Sequence, residues 1–370
     1  MTGVRRNGSG ALGACDRCLR RSWLLGRLAG HLEVARARIG ELLGLGEAEL
    51  IAAVGGRHAK ALAGELEAAD VSLLRAGAHA AALDLVCRCS PAYPQALLAV
   101  ADAPPAIYVA GGCDRLQRLL GEKAVAVVGT RRPTPYGLEQ ARALGHGLAA
   151  CEVAVVNGLA LGIDGAAAIG ALELAGGVIA ILAGGAGQVS PSSRRPLLRR
   201  VLDAGGVALW ELPVGSAPRR WMFAARNRLI ATLCELAVVV EAPFGSGALL
   251  TARLAAALGR AVGAVPGRVG TAQAQGPHQL LADGALLVRG AQDVLDRLFG
   301  VGVCTTTGPQ RAALDPSLAR VLAAIGAGAD TPDALARTGI PARRCLAALA
   351  ALELHGYVRR GPGGRYVTIA

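Results

Sequence analysis

The chain has 370 residues, 39 Lys plus Arg against 27 Asp plus Glu, and a net charge of +12, with a pI near 9.8. That length allows two or three domains with buried cores. Although 53% of residues are apolar, no window reaches the ~18–20 unbroken apolar residues of a spanning helix. Residues 1–10 lack the apolar core of a secretion signal, and scattered cysteines argue against a disulfide scaffold. These features exclude a membrane-spanning or secreted chain and fit the cytoplasm. The only lysines are Lys60 and Lys123, so the positive charge is almost all guanidinium, which suits phosphate contact and base stacking.

From Arg21 to about Leu83 apolar residues recur at helical spacing (Leu24, Leu28, Leu32; Ile39, Leu42, Leu43), predicting a helical region over 1–83. From Ala124 to Val288 short apolar runs alternate with Gly-rich turns and amphipathic stretches. Ala124–Val128, Val153–Val156, Val178–Leu182, Val207–Leu209, Leu236–Val240 and Ala261–Val265 read as six buried strands. Leu138–Ala149, Asp164–Leu174, Pro196–Asp203, Arg226–Leu233 and Ala248–Leu258 read as helices. Continuous apolar strands separated by helices mean an α/β fold, a Rossmann-like doubly wound parallel sheet, over 84–300. Residues 301–315 open with the polar run VGVCTTTGPQ and read as a linker. After it, Pro316–Ile325, Thr331–Thr338 and Pro341–Leu354 read as helices and Gly356–Ile369 as a hairpin, which makes 316–370 a winged helix.

Three loops follow predicted strands and should converge at the carboxyl edge of the sheet, where α/β folds bind ligands. The first carries Gly129, Thr130 and Arg131; it lacks the G-x-G-x-x-G fingerprint, so a phosphodiester fits better than a dinucleotide. The second carries Asn157, Gly158, Gly162 and Asp164, with Asp164 placed to cap the next helix. The third carries Ser246, another capping residue, and Gly247. Between Pro191 and Ile230 the chain concentrates Arg194, Arg195, Arg199, Arg200, Arg219, Arg220, Arg226 and Arg228, interleaved with Trp210, Trp221 and Phe223. Guanidinium groups that follow a backbone, beside rings on which bases stack, suit single-stranded nucleic acid. Trp210, which ends a predicted strand, also fits a core position.

The motifs VAVVGTRRPTPYG, NGLALGIDGAA, ELPVGSAPRRWMFAARNRLIA, VVVEAPFGSGALLTA, GRAVGAVPG and LLADGA, in that order over Pro91–Val288, resemble the DNA-processing protein A (DprA/Smf) family. TPDALARTGIPARRCLAALAALELHGYVRRGPGGRY resembles that family's winged helix, and the helical N-terminus its sterile-alpha-motif or helix-hairpin-helix-like cap. The resemblance implies a cytoplasmic, non-catalytic single-stranded DNA-binding protein. It further implies a homodimer formed through the Rossmann-like domain and a recombination mediator that helps load the RecA recombinase, in natural transformation or recombination. It places Arg131 and Arg226-Asn227-Arg228 in the DNA pocket. The chain departs from the family pattern at Asn157-Gly158 (usually Ser-Gly), Ala168 (usually His), Ser190-Pro191, Trp210-Glu211 and Gly276-Pro277-His278.

Two other function classes fit the sequence less well. A Rossmann-like nucleotide phosphoribohydrolase needs a glutamate where this chain has Thr251, in the frame Pro243–Thr251, and Thr251 cannot act as a carboxylate base. A winged-helix regulator of duplex DNA would read bases with Pro341–Leu354, which offers only Arg343 and Arg344. Separately, Cys15-x-x-Cys18 and Cys87-x-Cys89 fit either a four-thiolate structural zinc site or small buried residues without metal; the gap between the pairs is not that of a common finger.

Overall fold

The structure, a computed structural model, describes residues 13–121, 123–174, 176–305, 314–354 and 357–368. The chain divides at residues 306/307 into two compact units. No helix among the described residues is long and apolar enough to cross a membrane.

The first unit is built on one sheet of nine strands. These are β1 (Asp84–Cys87), β2 (Ala106–Ala110), β3 (Ala124–Val128), β4 (Ala154–Asn157), β5 (Val178–Ile181), β6 (Val207–Trp210), β7 (Leu236–Val239), β8 (Ala261–Ala264) and β9 (Leu286–Leu287). They lie in the order β1-β2-β6-β5-β4-β3-β7-β8-β9. The six strands expected from apolar runs are β3 to β8, and they are mutually parallel. Helices cover both faces, so residues of both parities are buried, as Val125 to Val128 show. The sheet extends past the expected six at both edges. β2 runs antiparallel to β6 and β1 antiparallel to β2, while β9 adds a two-residue parallel edge. β3 sits between β4 and β7, so connections diverge to either side of it. The carboxyl end of β3 is the switch point at which such sheets form a crevice.

The N-terminal helices do not stand apart from the sheet. Leu24, Leu25, Leu28, Leu32 and Leu50 share a buried cluster with Leu212, Trp221, Met222 and Ala225. The last three lie on the helix Arg220–Thr232, and the Trp221 indole N–H donates to the Ala29 carbonyl at 3.0 Å. The helix that carries Phe223 and Arg226 of the aromatic and basic window is therefore held from behind by Ala29–Val34 and its neighbours.

The second unit has helices Pro316–Gly326, Pro332–Arg337 and Ala342–Leu354 and a hairpin of β10 (Val358–Arg360) and β11 (Tyr366–Thr368). Asp315 and Thr331 cap the first two helices, and Val321, Ile325, Leu335, Leu349 and Leu352 form the core. This is the winged helix expected from the sequence. Of the expected linker, residues 306–313 lie outside the described residues, as do Gly356 and Ile369 at the ends of the expected hairpin.

A candidate nucleic-acid cleft at the switch point

The loop after β3 spends its backbone donors internally. Thr130 N–H donates to the Glu241 carbonyl at 2.6 Å. Thr134 caps the helix Pro135–Ala149 by accepting from Gly137 N–H at 3.1 Å, and its own N–H and hydroxyl donate to the two Glu241 carboxylate oxygens at 2.8 and 2.6 Å. A Cβ at Gly137 would fall 2.3 Å from Glu241 Oε2. This helix N-terminus is thus closed by the protein's own carboxylate. What the loop presents outward is the Arg131 side chain.

The second loop is organised by a buried acid. Asp164 Oδ2 accepts from Gly158 N–H at 3.0 Å, Asn157 Nδ2 donates to the Asp164 carbonyl at 2.9 Å, and Leu159 N–H donates to Asn157 Oδ1 at 3.0 Å. The N-cap of Ile163–Leu172 is Gly162, at φ +81°, not Asp164 as expected. Asp164 lies inside the first turn and reaches back to the loop. A Cβ on Gly162 would lie 2.3 Å from the Thr130 carbonyl, and one on Gly129 would lie 2.5 Å from Ile163 Cγ1. The two loops pack backbone against backbone because these positions carry no side chain. In the third loop Ser246 caps Gly247–Ala257 as expected.

The three loops and the helix Arg220–Thr232 enclose a cleft of about 340 Å³ whose lining includes Gly129, Arg131, Asp164, Arg220, Phe223, Arg226, Asn227, Ser246 and Gly247. A second cavity of about 240 Å³, reaching Gly158, Leu182, Ser190 and Pro191, shares Arg131, Ala160, Phe223 and Arg226 with it. The Arg131 guanidinium lies over the Phe223 ring, 5.4 Å from its centroid. Arg131 is exposed, and among the described residues no carboxylate pairs with it. Arg226 is buried, and its Nη1 donates to the Ile181 carbonyl at 2.5 Å. A Cβ at Gly158 would sit 1.5 Å from that nitrogen. Burial lowers the Arg226 pKa, Asp164 opposes the shift and nearby Arg131 adds to it; a guanidinium still keeps its charge at neutral pH. Burial likewise raises the Asp164 pKa, with Arg226 and the loop N–H groups pulling the other way. Asn227 Nδ2 donates to the Gly247 carbonyl at 3.2 Å, tying the helix to the third loop.

Several sequence expectations change here. The helix expected from Arg226 begins at Arg220, so Arg226-Asn227-Arg228 lies mid-helix. Residues two apart on a helix diverge by about 200°, and Arg226 and Arg228 accordingly face different surroundings. Arg228 is buried away from the cleft, with Nε 2.7 Å from Asp102 Oδ2 and Nη2 2.5 Å from Glu211 Oε1. Trp210 and Trp221 are core residues whose indole N–H groups donate to the Gln188 and Ala29 carbonyls; of the three rings only Phe223 reaches the cleft. Thr130 and Asn157 are buried, and with Gly162 they shape the loops. One arginine outside the loops joins the site: Arg220 lines the main cleft. Arg194 lines neither cavity but packs across Gly165, whose Cβ would lie 2.9 Å from Arg194 Nη1; burial lowers its pKa and Asp164 opposes the shift. The apolar spacing Trp221, Met222, Ala225, Leu229 is the signal that the helix starts early, and it would have placed Arg220 at the cleft. Cys15, Cys18, Cys87 and Cys89 come together elsewhere, at the end of β1.

Residues 84–299 match the family model described as DNA recombination-mediator protein A, and residues 305–364 match the DprA winged helix domain. A putative DNA processing protein DprA of Mycobacterium tuberculosis is 42% identical over 258 residues, 68% of this chain and 66% of that protein, just under two thirds of its length. The X-ray structure of DNA processing protein A from Streptococcus pneumoniae superposes with a TM-score of 0.60 at 30% identity, covering 75% of this chain and 95% of that one. A DNA processing protein A from Helicobacter pylori, whose structure concerns a single-stranded DNA binding mode, gives a TM-score of 0.50 at 28% identity over 55% of this chain and 92% of that one.

Proposed function

This chain belongs to the DNA recombination-mediator protein A family, and on that premise we propose that it binds single-stranded DNA in the cleft at the switch point of its sheet. The observation that carries the reading is the Arg131 guanidinium held on the Phe223 ring, with Arg226 and Arg220 lining the same cleft. Arg131 and Arg220 offer phosphate contacts from exposed positions, Phe223 and the Arg131 plane offer stacking faces, and Asn227 supplies an amide at the floor. Such a set binds strand backbone and bases with little sequence preference.

The protein acts, in this reading, without catalysis, as a homodimer through the Rossmann-like unit, and passes the strand to a RecA-type recombinase. Family membership supports these roles. The phosphoribohydrolase alternative is disfavoured at one residue: Thr251 stands where that chemistry needs a carboxylate, and its hydroxyl faces the Gly247 carbonyl at 3.5 Å. Fluorescence anisotropy with one labelled oligonucleotide, single- against double-stranded over a salt series, tests the proposal. Preference for the single strand, with affinity falling steeply with salt, supports it; equal affinity for both forms refutes it.

A further inference from the structure

We propose that Cys15, Cys18, Cys87 and Cys89 bind one zinc ion that clips the first helix to the outer strand of the sheet. Their four sulfurs all lie within 4.8 Å of one another, with Cys18 Sγ 3.7 Å from Cys89 Sγ and Cys15 Sγ 3.9 Å from Cys87 Sγ. Four thiolates about 2.3 Å from a tetrahedral zinc stand about 3.8 Å apart, so these separations need little adjustment to close on an ion. They are far longer than the ~2.05 Å of a disulfide.

The two segments are built to present sulfur pairs to one point. Cys15 is the N-cap and Cys18 lies in the first turn of Asp16–Arg27, a spacing of three that puts both on one face of the helix. Cys87 ends β1 and the chain turns at once, Ser90 N–H donating to the Cys87 carbonyl at 2.8 Å, which brings Cys89 beside Cys18. The Cys15 N–H donates to Cys87 Sγ at 3.3 Å, the kind of outer contact that steadies a metal-bound thiolate. Arg75 fixes the flanks of Cys15, donating to the Ala14 carbonyl at 2.8 Å and to Asp16 Oδ1 at 2.5 Å. Zinc with four thiolates carries two negative charges; of the residues inside the two cysteine pairs, Arg17 and Arg88 are exposed cations and Asp16 is paired with Arg75.

β1 is an edge strand of the sheet, held by β2 on one side. A metal there adds a second fastening and ties in the helical region that backs Trp221 and the cleft helix. Cys15 and Cys89 are exposed while Cys18 and Cys87 are buried, which leaves the ion reachable by a chelator.

The test is metal analysis of the full chain purified without added metal. We expect about one zinc per chain, and cobalt exchanged into the site should show the visible and near-ultraviolet bands of tetrahedral thiolate coordination. Cys89→Ser and Cys15→Ser should each lose the ion, whereas Cys304→Ser, outside the cluster, should keep it. If the serine variants fail to fold, zinc content and the cobalt spectrum of the unaltered chain decide. A folded metal-free chain, stoichiometric iron in place of zinc, mapped Cys15–Cys87 and Cys18–Cys89 disulfides, or zinc lost equally from Cys304→Ser would each overturn the proposal.

Discussion

Arg131 and Phe223 come from opposite sides of the cleft, one on the loop after β3 and the other in the first turn of Arg220–Thr232, and meet as cation over ring at 5.4 Å. An exposed pair of this kind contributes only about 0.5–1 kcal/mol. Its value is positional: it orders a long side chain without burying its charge or pairing it with a carboxylate.

Replacing Arg131 with Ala should weaken single-stranded DNA binding by about tenfold, roughly 1.4 kcal/mol. It should also make the salt dependence shallower by about 0.7 in log–log slope, as loss of one phosphate contact requires. Phe223→Ala should cost about 1–3 kcal/mol through lost stacking while leaving that slope almost unchanged. Titration of each variant at several salt concentrations separates the two. Identical slopes and losses for both would mean that the ring serves only to hold the arginine.

Gly158 and Arg226 should behave as one unit, because a methyl at Gly158 occupies the place of Arg226 Nη1. Gly158→Ala should therefore displace the guanidinium from the Ile181 carbonyl and weaken DNA binding about as much as Arg226→Ala. The double variant should be hardly worse than either single one, the non-additivity expected of contacting residues. Additive losses in a binding cycle would show that the glycine matters for another reason.

How far this site could be read in advance depended on whether the partners were local. Continuous apolar runs such as Val125–Val128 gave β3 to β8 directly, since strands covered on both faces carry no alternation. β1 and β2 escaped because an antiparallel extension depends on a pairing between distant segments, Leu85 opposite Tyr108 and Val109 opposite Leu209. Arg131 was legible because its loop position exposes it whatever packs nearby. Arg228 was not: its burial depends on Asp102 and Glu211, and nothing near it in the sequence marks them as partners.

Arg228→Met should destabilise the protein by about 3–5 kcal/mol, because it leaves two buried carboxylates without their cation. Urea unfolding at neutral pH measures this. DNA affinity of the folded fraction should stay within about twofold, since residues without shared partners act independently. Converting Asp102 and Glu211 to Leu in the same chain should restore most of the loss. A large affinity defect in a stable Arg228→Met protein would return this residue to the binding site.

Asp164 gives a pH signature with a definite sign. Its folded-state pKa is raised by burial, so its contribution to stability is fully present below the unfolded pKa and is lost as pH rises through the folded one. Asp164→Asn keeps an acceptor for Gly158 N–H but does not titrate. The stability of the parent chain relative to Asp164→Asn should therefore fall as pH rises from about 4, the unfolded carboxyl's value, toward neutrality. Paired urea unfolding curves at the two ends of that range provide the check, and a rise with pH would show that Arg226 and the loop N–H groups outweigh burial.

Removing the winged-helix unit by ending the chain at Thr305 should leave single-stranded DNA binding largely intact. Every proposed contact lies at or before Gly247, and the unit 13–305 carries its own cores. In the winged helix, Ala342–Leu354 turns Cys345, Leu349 and Leu352 inward, and its outward positions include Leu346 at 57% and Leu354 at 85% exposure. That leaves Arg343 and Arg344 at its start as donors, too few to read base edges in a major groove, though Arg360 in the wing can add a phosphate contact. Full-length and shortened protein compared by anisotropy on the same oligonucleotide should differ by less than about tenfold, roughly 1.4 kcal/mol. A larger loss in the shortened chain would place the main DNA site in the winged helix and leave the cleft between Arg131 and Arg226 as a secondary contact.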